Sequence, residues 1–335
     1  MSELGYKVLF VVPTNRLRQE RTLGNITLNQ FFCVGVSDND PERKGFDDSG
    51  YNVIVFDEIY FTSIGMLARI KNYSESHPSK IIIAAGDCNQ LPPVNFGPNR
   101  VNFKTYADQC IDAIFPKSMM LRIPKRLKSA EDKKLLVEIA RDIFDKDIPT
   151  ETTLRKYFRF TGDINTTDNI AYKNDTCGAV AKIVRKQIGK VAEYEAGETL
   201  VCREYFVQKR VKFNCNYEYL ILEVKANELV IKGIGQPLVV SPETVRKQFI
   251  HNYCRTCHSL QGSSINGRIT IFDWNLWCST REWLYTAIAR ATDLKMLVST
   301  TAVLKISQSN CWSGIYHKSF ESIENRIEMV VEQLI

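Results

Sequence analysis

The strands of this chain are marked by apolar runs without polar alternation. Val8-Leu9-Phe10-Val11-Val12, Val53-Ile54-Val55-Phe56 and Ile81-Ile82-Ile83-Ala84-Ala85 are of this kind, a pattern that suits strands buried on both faces of a parallel sheet. Amphipathic periodicity predicts helices over 62–73, 104–115, 131–146, 177–188, 283–291 and 319–335. The third of these carries Leu135, Leu136, Ile139, Ala140 and Ile143 on one face. Asn25–Phe32 reads as a short segment with Thr27 exposed, Ser37–Gly50 as a surface loop, and Met119–Leu127 as a strand turning into a basic loop. Strand followed by polar turn recurs at Asn169–Tyr172, Phe249–Thr256, Arg268–Asp273 and Met296–Thr300. The alternation of strand and helix predicts an α/β fold with doubly wound parallel sheets.

The pattern changes between Glu195 and Leu238. There, short alternating segments such as Tyr219–Val224 and Leu229–Lys232 are separated by Gly- and Asn-bearing turns. That pattern predicts a small antiparallel sheet or barrel inserted in the second α/β region. The expected organisation is a first domain over 1–117, a second over 118–194 and 239–310, the insert over 195–238, and a C-terminal helix over 311–335.

At 335 residues, two or three cores are expected. The net charge of +6 permits a nucleic-acid partner without requiring one. No apolar stretch approaches the roughly 20 residues of a membrane span, and none has the form of a signal peptide. The 10 cysteines are scattered through strand-like and helix-like segments rather than framing a small scaffold, so free thiols in a reducing, intracellular setting are expected. Cytoplasm, nucleus and viral factory are not distinguished.

The candidate chemistry collects where strands end. Val53–Phe56 runs into Asp57-Glu58, and Ile81–Ala85 into Gly86-Asp87-Cys88-Asn89-Gln90-Leu91-Pro92-Pro93-Val94. The C-terminal edge of a parallel sheet is where open α/β folds bind ligands. Each stretch alone is more often a buried strand with a solvated polar end. Together they resemble motifs II and III of superfamily 1 helicases, nearest the RecD-like DNA branch.

The resemblance continues in order along the chain. Pro13-Thr14-Asn15 resembles motif Ia, and Thr27-Leu28-Asn29 a further strand-contacting segment whose usual His is Asn29 here. Leu121–Arg126 resembles motif IV, Tyr253–Ser263 motif V, and Tyr285–Ala291 motif VI. The family has two RecA-like domains and a small β-barrel in the second.

The resemblance implies an ATP-dependent helicase or translocase acting on single-stranded DNA or duplex/single-strand junctions in replication, repair or recombination, with ATP and Mg²⁺ as cofactors. Asp57 would hold Mg²⁺ through water, and Glu58 would orient the attacking water. Gln90 would sense the γ-phosphate, and Arg126 and Arg290 would stabilise its developing charge. Gly262 falls on the nucleotide side, whereas Thr14, Asn15, Thr27, Thr256 and His258 would contact the nucleic-acid strand. ATP would lie between Asp57, Glu58 and Gln90 on one side and the two arginines on the other. Replication or repair proteins are possible partners.

Outside that context, Arg126 reads as part of a solvated basic patch, Arg290 as a helix ion-pair partner and Tyr285 as packing. The phosphate-cradling Gly-x-x-x-x-Gly-Lys-Ser/Thr loop is absent from the sequence. The expectation is therefore a C-terminal portion of a helicase that binds ATP poorly alone. A non-catalytic nucleic-acid-binding remnant and a superfamily 1 RNA helicase are the alternatives. Cys254-Arg255-Thr256-Cys257-His258 also matches a haem-attachment spacing and offers zinc-ligand types. Both remain minor readings without an export signal or a second ligand pair.

Overall fold

Val53–Phe56 is buried along its whole length, and the first sheet is built around it. A fully buried Val, Ile or Phe side chain contributes roughly 1.5–3 kcal/mol, so these four consecutive residues anchor the core. The computed structural model describes residues 5–13, 25–34, 46–92, 100–121, 123–161, 164, 167–208, 210–233, 235–276 and 278–300. The chain divides into two units after Leu121.

In the first unit, β1 (Val8–Val12), β2 (Asn25–Thr27), β3 (Val53–Phe56) and β4 (Ile81–Ala84) form a parallel sheet in the order β2-β1-β3-β4. Helices α1 (Leu28–Phe31), α2 (Ile64–Ser76) and α3 (Arg100–Ile114) accompany it. Leu67, Ile70, Cys110 and Ile111 pack with Leu9, Val11, Ile54 and Phe56 in one core. The parallel sheet fulfils the expectation from the apolar runs.

Two expectations are corrected here. Among the described residues β4 hydrogen-bonds only to β3, so it is an edge strand and Ile81 is 42% exposed. Thr27 is buried rather than exposed. It ends β2 and caps α1 in a capping box with Gln30, its hydroxyl accepting from the Gln30 N–H at 3.3 Å. Thr14, Asn15, Val94 and the C-terminal helix lie outside the described residues.

In the second unit, α4 (Ala130–Phe144), α5 (Thr150–Tyr157), β5 (Arg159–Thr161), β6 (Asp168–Ala171) and α6 (Asn174–Gln187) come first. Seven strands and a helix follow: β7 (Thr199–Cys202), β8 (Phe206–Gln208), β9 (Val211–Phe213), β10 (Glu218–Val224), β11 (Leu229–Lys232), β12 (Leu238–Val240), α7 (Pro242–Gln248) and β13 (Phe249–His251). The described part closes with β14 (Arg255–Thr256), β15 (Ile269–Ile271), α8 (Arg281–Ile288) and β16 (Leu297–Thr300). A parallel sheet runs in the order β14-β6-β15-β16-β5. A second sheet, antiparallel, has the order β12-β11-β10-β7-β13, and β8 and β9 form a separate hairpin.

The antiparallel part reaches beyond Leu238. Phe249–His251, read from sequence as a return to the α/β sheet, pairs instead with β7. Its apolar pattern fits either sheet, and the Ser241-Pro242 start of α7 returns the chain to β7 first. That start is a capping signal the periodicity reading missed: the Ser241 hydroxyl accepts from the Thr244 N–H at 3.1 Å. Among the described residues Met119–Leu121 pairs with no strand, and these side chains stand exposed.

Candidate functional site

The acid pair follows β3 without a break. The Asp57 N–H donates to the Val11 carbonyl at 2.9 Å, so the sheet ladder carries as far as the first carboxylate. Glu58 turns sharply into the left-handed region, with φ 52° and ψ 47°, and starts a 3-10 turn over Ile59–Phe61. A non-glycine residue there is uncommon and costs about 1 kcal/mol or more. The turn redirects the chain at the strand end and leaves both carboxylates half-buried at the sheet's C-terminal edge.

The next loop is pressed against this turn. The Ile59 N–H donates to the Ala85 carbonyl at 2.9 Å, and the Ala85 N–H donates to the Phe56 carbonyl at 2.8 Å. A Cβ on Gly86 would stand 3.0 Å from the Ile59 nitrogen and 3.0 Å from a Tyr60 ring carbon. A Cβ there would crowd the turn, and Gly86 lets the following loop lie close against it. Gly86→Ala is expected to lose about 1–3 kcal/mol of stability through overpacking, read by urea unfolding; an unchanged midpoint would contradict the close approach.

Asp87 organises its own loop. Its carboxylate accepts from the Asn89 N–H at 2.9 Å and from Gln90 Nε2 at 3.3 Å. Asp57, Glu58 and Gln90 thus share one strand-end region of one unit, as their sequence positions suggested.

The second group of residues surrounds β14. Thr256 ends that strand, its hydroxyl accepts from the Ser259 N–H at 3.3 Å, and Ser259 Oγ donates to the Thr256 carbonyl at 2.8 Å. These bonds hold the 3-10 turn His258–Leu260, where Thr256 and His258 are both half-exposed. Gly262 follows with φ +83°, a left-handed conformation that suits glycine.

Arg290 is placed far from solvent. Its exposure is 0%, and its guanidinium donates to the carbonyls of Thr286 at 3.1 Å, Ser263 at 3.2 Å and Leu260 at 3.5 Å. It lies in the turn after α8 rather than in the helix, and it clamps the end of α8 to the Leu260–Ser263 segment, a role that reading it as a helix ion-pair partner did not reveal. Arg126 is half-exposed and donates to the Ala289 carbonyl at 2.5 Å. Arg281 orients α8 from its other end by donating to the carbonyls of Asp145 at 2.7 Å and Ile148 at 3.0 Å, which follow α4.

A charged cluster that the sequence reading missed lies beside this group. The Glu198 carboxylate is buried and accepts from Arg185 at 2.8 and 3.1 Å, from the Tyr253 hydroxyl at 3.0 Å and from the Glu195 N–H at 2.8 Å. Burial alone would raise its pKa, but these partners outweigh burial and hold it below the usual carboxylate range. Burial and the Glu198 charge push the Tyr253 phenol up to about 12.

His251 lies between Tyr194 and Tyr253 and has its pKa lowered, because burial outweighs the attraction of Glu198. The unfolded histidine, titrating near 6.5, binds the proton more readily than the folded one. The stabilisation is present above pH ~6.5 and is lost as pH falls from there through the folded value. Thermal midpoints taken between about pH 7.5 and 5.5 should fall, and His251→Gln should flatten that slope. Equal slopes would contradict this assignment.

Cys254 and Cys177 are buried together in one apolar cluster, and burial raises Cys254 well above its usual pKa and Cys257 to about 12. Among the described residues no group of three His, Cys, Asp or Glu side chains is arranged to hold a metal, and no helix is long and apolar enough to cross a membrane.

No family model and no curated protein matches the chain. Among solved structures, it is similar to Bacteroides Pif1 bound to single-stranded DNA, with 13% identity, 90% of this chain and 84% of that chain covered, and a TM-score of 0.56. It is likewise similar to the Bacteroides Pif1 helicase in complex with ADP-AlF3 and single-stranded DNA, with 14% identity, 89% and 83% covered, and a TM-score of 0.56. The Pif1 helicase from Candida albicans gives 13% identity, 90% and 86% covered, and a TM-score of 0.53. At these identities the likeness is one of fold. It agrees with the expected α/β architecture of two RecA-like parallel sheets and a small antiparallel sheet.

Proposed function

We propose that this chain is the motor portion of a superfamily 1 DNA helicase, a reading nearest the RecD-like branch. It would couple ATP hydrolysis in the complete machine to movement on single-stranded DNA. The observation that carries the proposal is the packing of Gly86, at the start of the Asp87–Gln90 loop, against the turn that follows the Asp57-Glu58 pair at the end of a buried strand. The fold shared with the Pif1 helicases supports it.

The residues present fit the metal side of a nucleotide site. Asp57 offers a half-exposed hard oxygen donor of the kind that holds Mg²⁺ through water. Bound there, Mg²⁺ would neutralise phosphate charge. Glu58 would orient the attacking water and take up its proton, and Gln90 can both donate to and accept from neighbouring oxygens. Arg126, half-exposed, would meet phosphate oxygens. Arg290 would first have to release its carbonyls, so its proposed direct role requires a rearrangement of the Leu260–Ser263 segment. Thr14, Asn15, Thr27, Thr256 and His258 would grip the strand, and Gly262 keeps its turn compact. A buried Thr27 would take part through the loop it caps.

The phosphate side does not fit: the sequence holds no Gly-x-x-x-x-Gly-Lys-Ser/Thr loop. That fact favours a second reading, a nucleic-acid-binding module without turnover. One pair of measurements tests what the two readings share. Binding of single-stranded DNA in competition with RNA is expected to favour DNA, with ATP turnover by this chain at background. Preference for RNA would move the reading to the RNA branch. Absence of binding to either would overturn the nucleic-acid assignment, and robust turnover would overturn the inference drawn from the missing loop.

A further inference from the structure

Arg255 belongs to one sheet by its backbone and to another by its side chain. Its main chain pairs with Ile170 of β6 in the parallel sheet. The guanidinium, on a residue only 4% exposed, donates to Glu218 Oε1 at 2.9 Å at the start of β10 in the antiparallel sheet. The same group donates to the Asn216 carbonyl at 3.5 Å and to the Ser259 carbonyl at 3.2 Å. Asn216 occupies a left-handed turn, φ 64°, whose N–H donates to the Cys202 carbonyl of β7 at 2.8 Å. A single planar fork therefore joins β10, the turn before it and the turn that carries His258.

The preceding residues are tied to the same sheet. Tyr253 donates to Glu198, which stands immediately before β7. The segment from Tyr253 to Ser259 thus meets two carboxylates of the antiparallel region, Glu198 at Tyr253 and Glu218 at Arg255, although Thr256 sits in the parallel sheet. The Thr256 and Ser259 hydroxyls bond each other's backbone. Fixing the Ser259 carbonyl consequently fixes where the Thr256 hydroxyl and the His258 ring stand.

We propose that Arg255 and Glu218 are positioning residues through which the antiparallel sheet sets the Thr256–His258 turn, and with it the grip on a single strand. This rests on the reading of Thr256 and His258 as strand contacts. The predicted sign separates positioning from charge. Removing a carboxylate near bound phosphates strengthens binding on electrostatic grounds, whereas loosening the turn weakens it. Glu218 suits the test because its side chain is 43% exposed, so truncation leaves no interior void.

The experiment compares the full chain with Glu218→Ala, Arg255→Lys and Glu223→Ala. Glu223 is the control: it lies on the same strand in an exposed pair with Lys225. Amide exchange over 256–261 and affinity for an oligodeoxythymidylate are measured at one salt concentration. Glu218→Ala and Arg255→Lys should accelerate exchange over 256–261 roughly tenfold and weaken affinity by about the same factor. Exchange in β1 and β3 should stay unchanged, and Glu223→Ala should bind as the parent or slightly tighter.

Unchanged exchange over 256–261 in Glu218→Ala would overturn the proposal, whatever the affinity. Faster exchange with equal or tighter binding would overturn its link to the grip. If the parent chain does not bind the oligonucleotide, the functional reading fails, and the exchange data alone decide whether the sheet positions the turn.

Discussion

Arg290→Ala is expected to destabilise the second unit by about 3–5 kcal/mol, a cost typical of stripping a fully buried charged anchor from its partners. The guanidinium has no exposed surface and serves the carbonyls of Thr286, Ser263 and Leu260. Truncation leaves those acceptors facing a void at the junction of α8 with the segment after His258. At roughly 2–4 °C per kcal/mol for a unit of this size, the thermal midpoint should fall by about 10 °C. Arg290→Lys should recover only part of the loss, because one ammonium nitrogen replaces a fork whose Nε and Nη1 reach carbonyls on separate segments. A loss below about 1 kcal/mol in calorimetry would refute the burial of this group. The result also bears on mechanism: an inactive Arg290→Ala enzyme would not by itself demonstrate contact with phosphate. Arg126, half-exposed and bonded to the Ala289 carbonyl, can be replaced at lower cost and is the cleaner probe of such a contact.

The second large effect is expected at Glu198. Its alanine variant would leave Arg185, 13% exposed at its side chain, without the carboxylate it grips through two nitrogens, and would strip the Tyr253 hydroxyl and the Glu195 N–H of an acceptor. Breaking one side of such a pair costs about 3–5 kcal/mol. Glu198→Gln keeps the shape but loses the charge, and should fall between the parent and the alanine variant. The pH dependence gives an independent check. Since the folded carboxyl is held below 4.5, its contribution is present above that value and is lost as pH falls through the folded pKa. Glu198→Ala should therefore shed stability at neutral pH and show a shallower acid limb than the parent. An unchanged acid limb would mean that the carboxylate is not the group titrating there.

Much of the architecture was legible because period and hydrophobicity are local. Val8–Val12 and Val53–Phe56 read directly as buried strands, and the acid pair fell at the end of the second. Ile81–Ala84 shows the limit. Composition marked it as buried, but an edge position depends on which strands are neighbours. Phe249–His251 shows the same limit in pairing: its pattern suits either sheet, and only the path through α7 selects β7. Thr27 read as exposed because its polarity was visible and its capping partner was not.

By itself the sequence determined the buried strands Val8–Val12 and Val53–Phe56, the α/β class, the presence of an antiparallel insert, and the order of Asp57, Glu58, Gln90, Thr256, His258 and Arg290 along the chain. Local composition suffices for these. Only the tertiary structure decided that a Cβ on Gly86 would crowd Ile59 and Tyr60, that Arg290 is a buried clamp, and that Arg255, Glu218, Glu198 and Tyr253 tie two sheets together. Each depends on atoms from segments distant in sequence meeting within a few ångströms, and burial and charge pairing at such meetings leave no periodic trace in the chain.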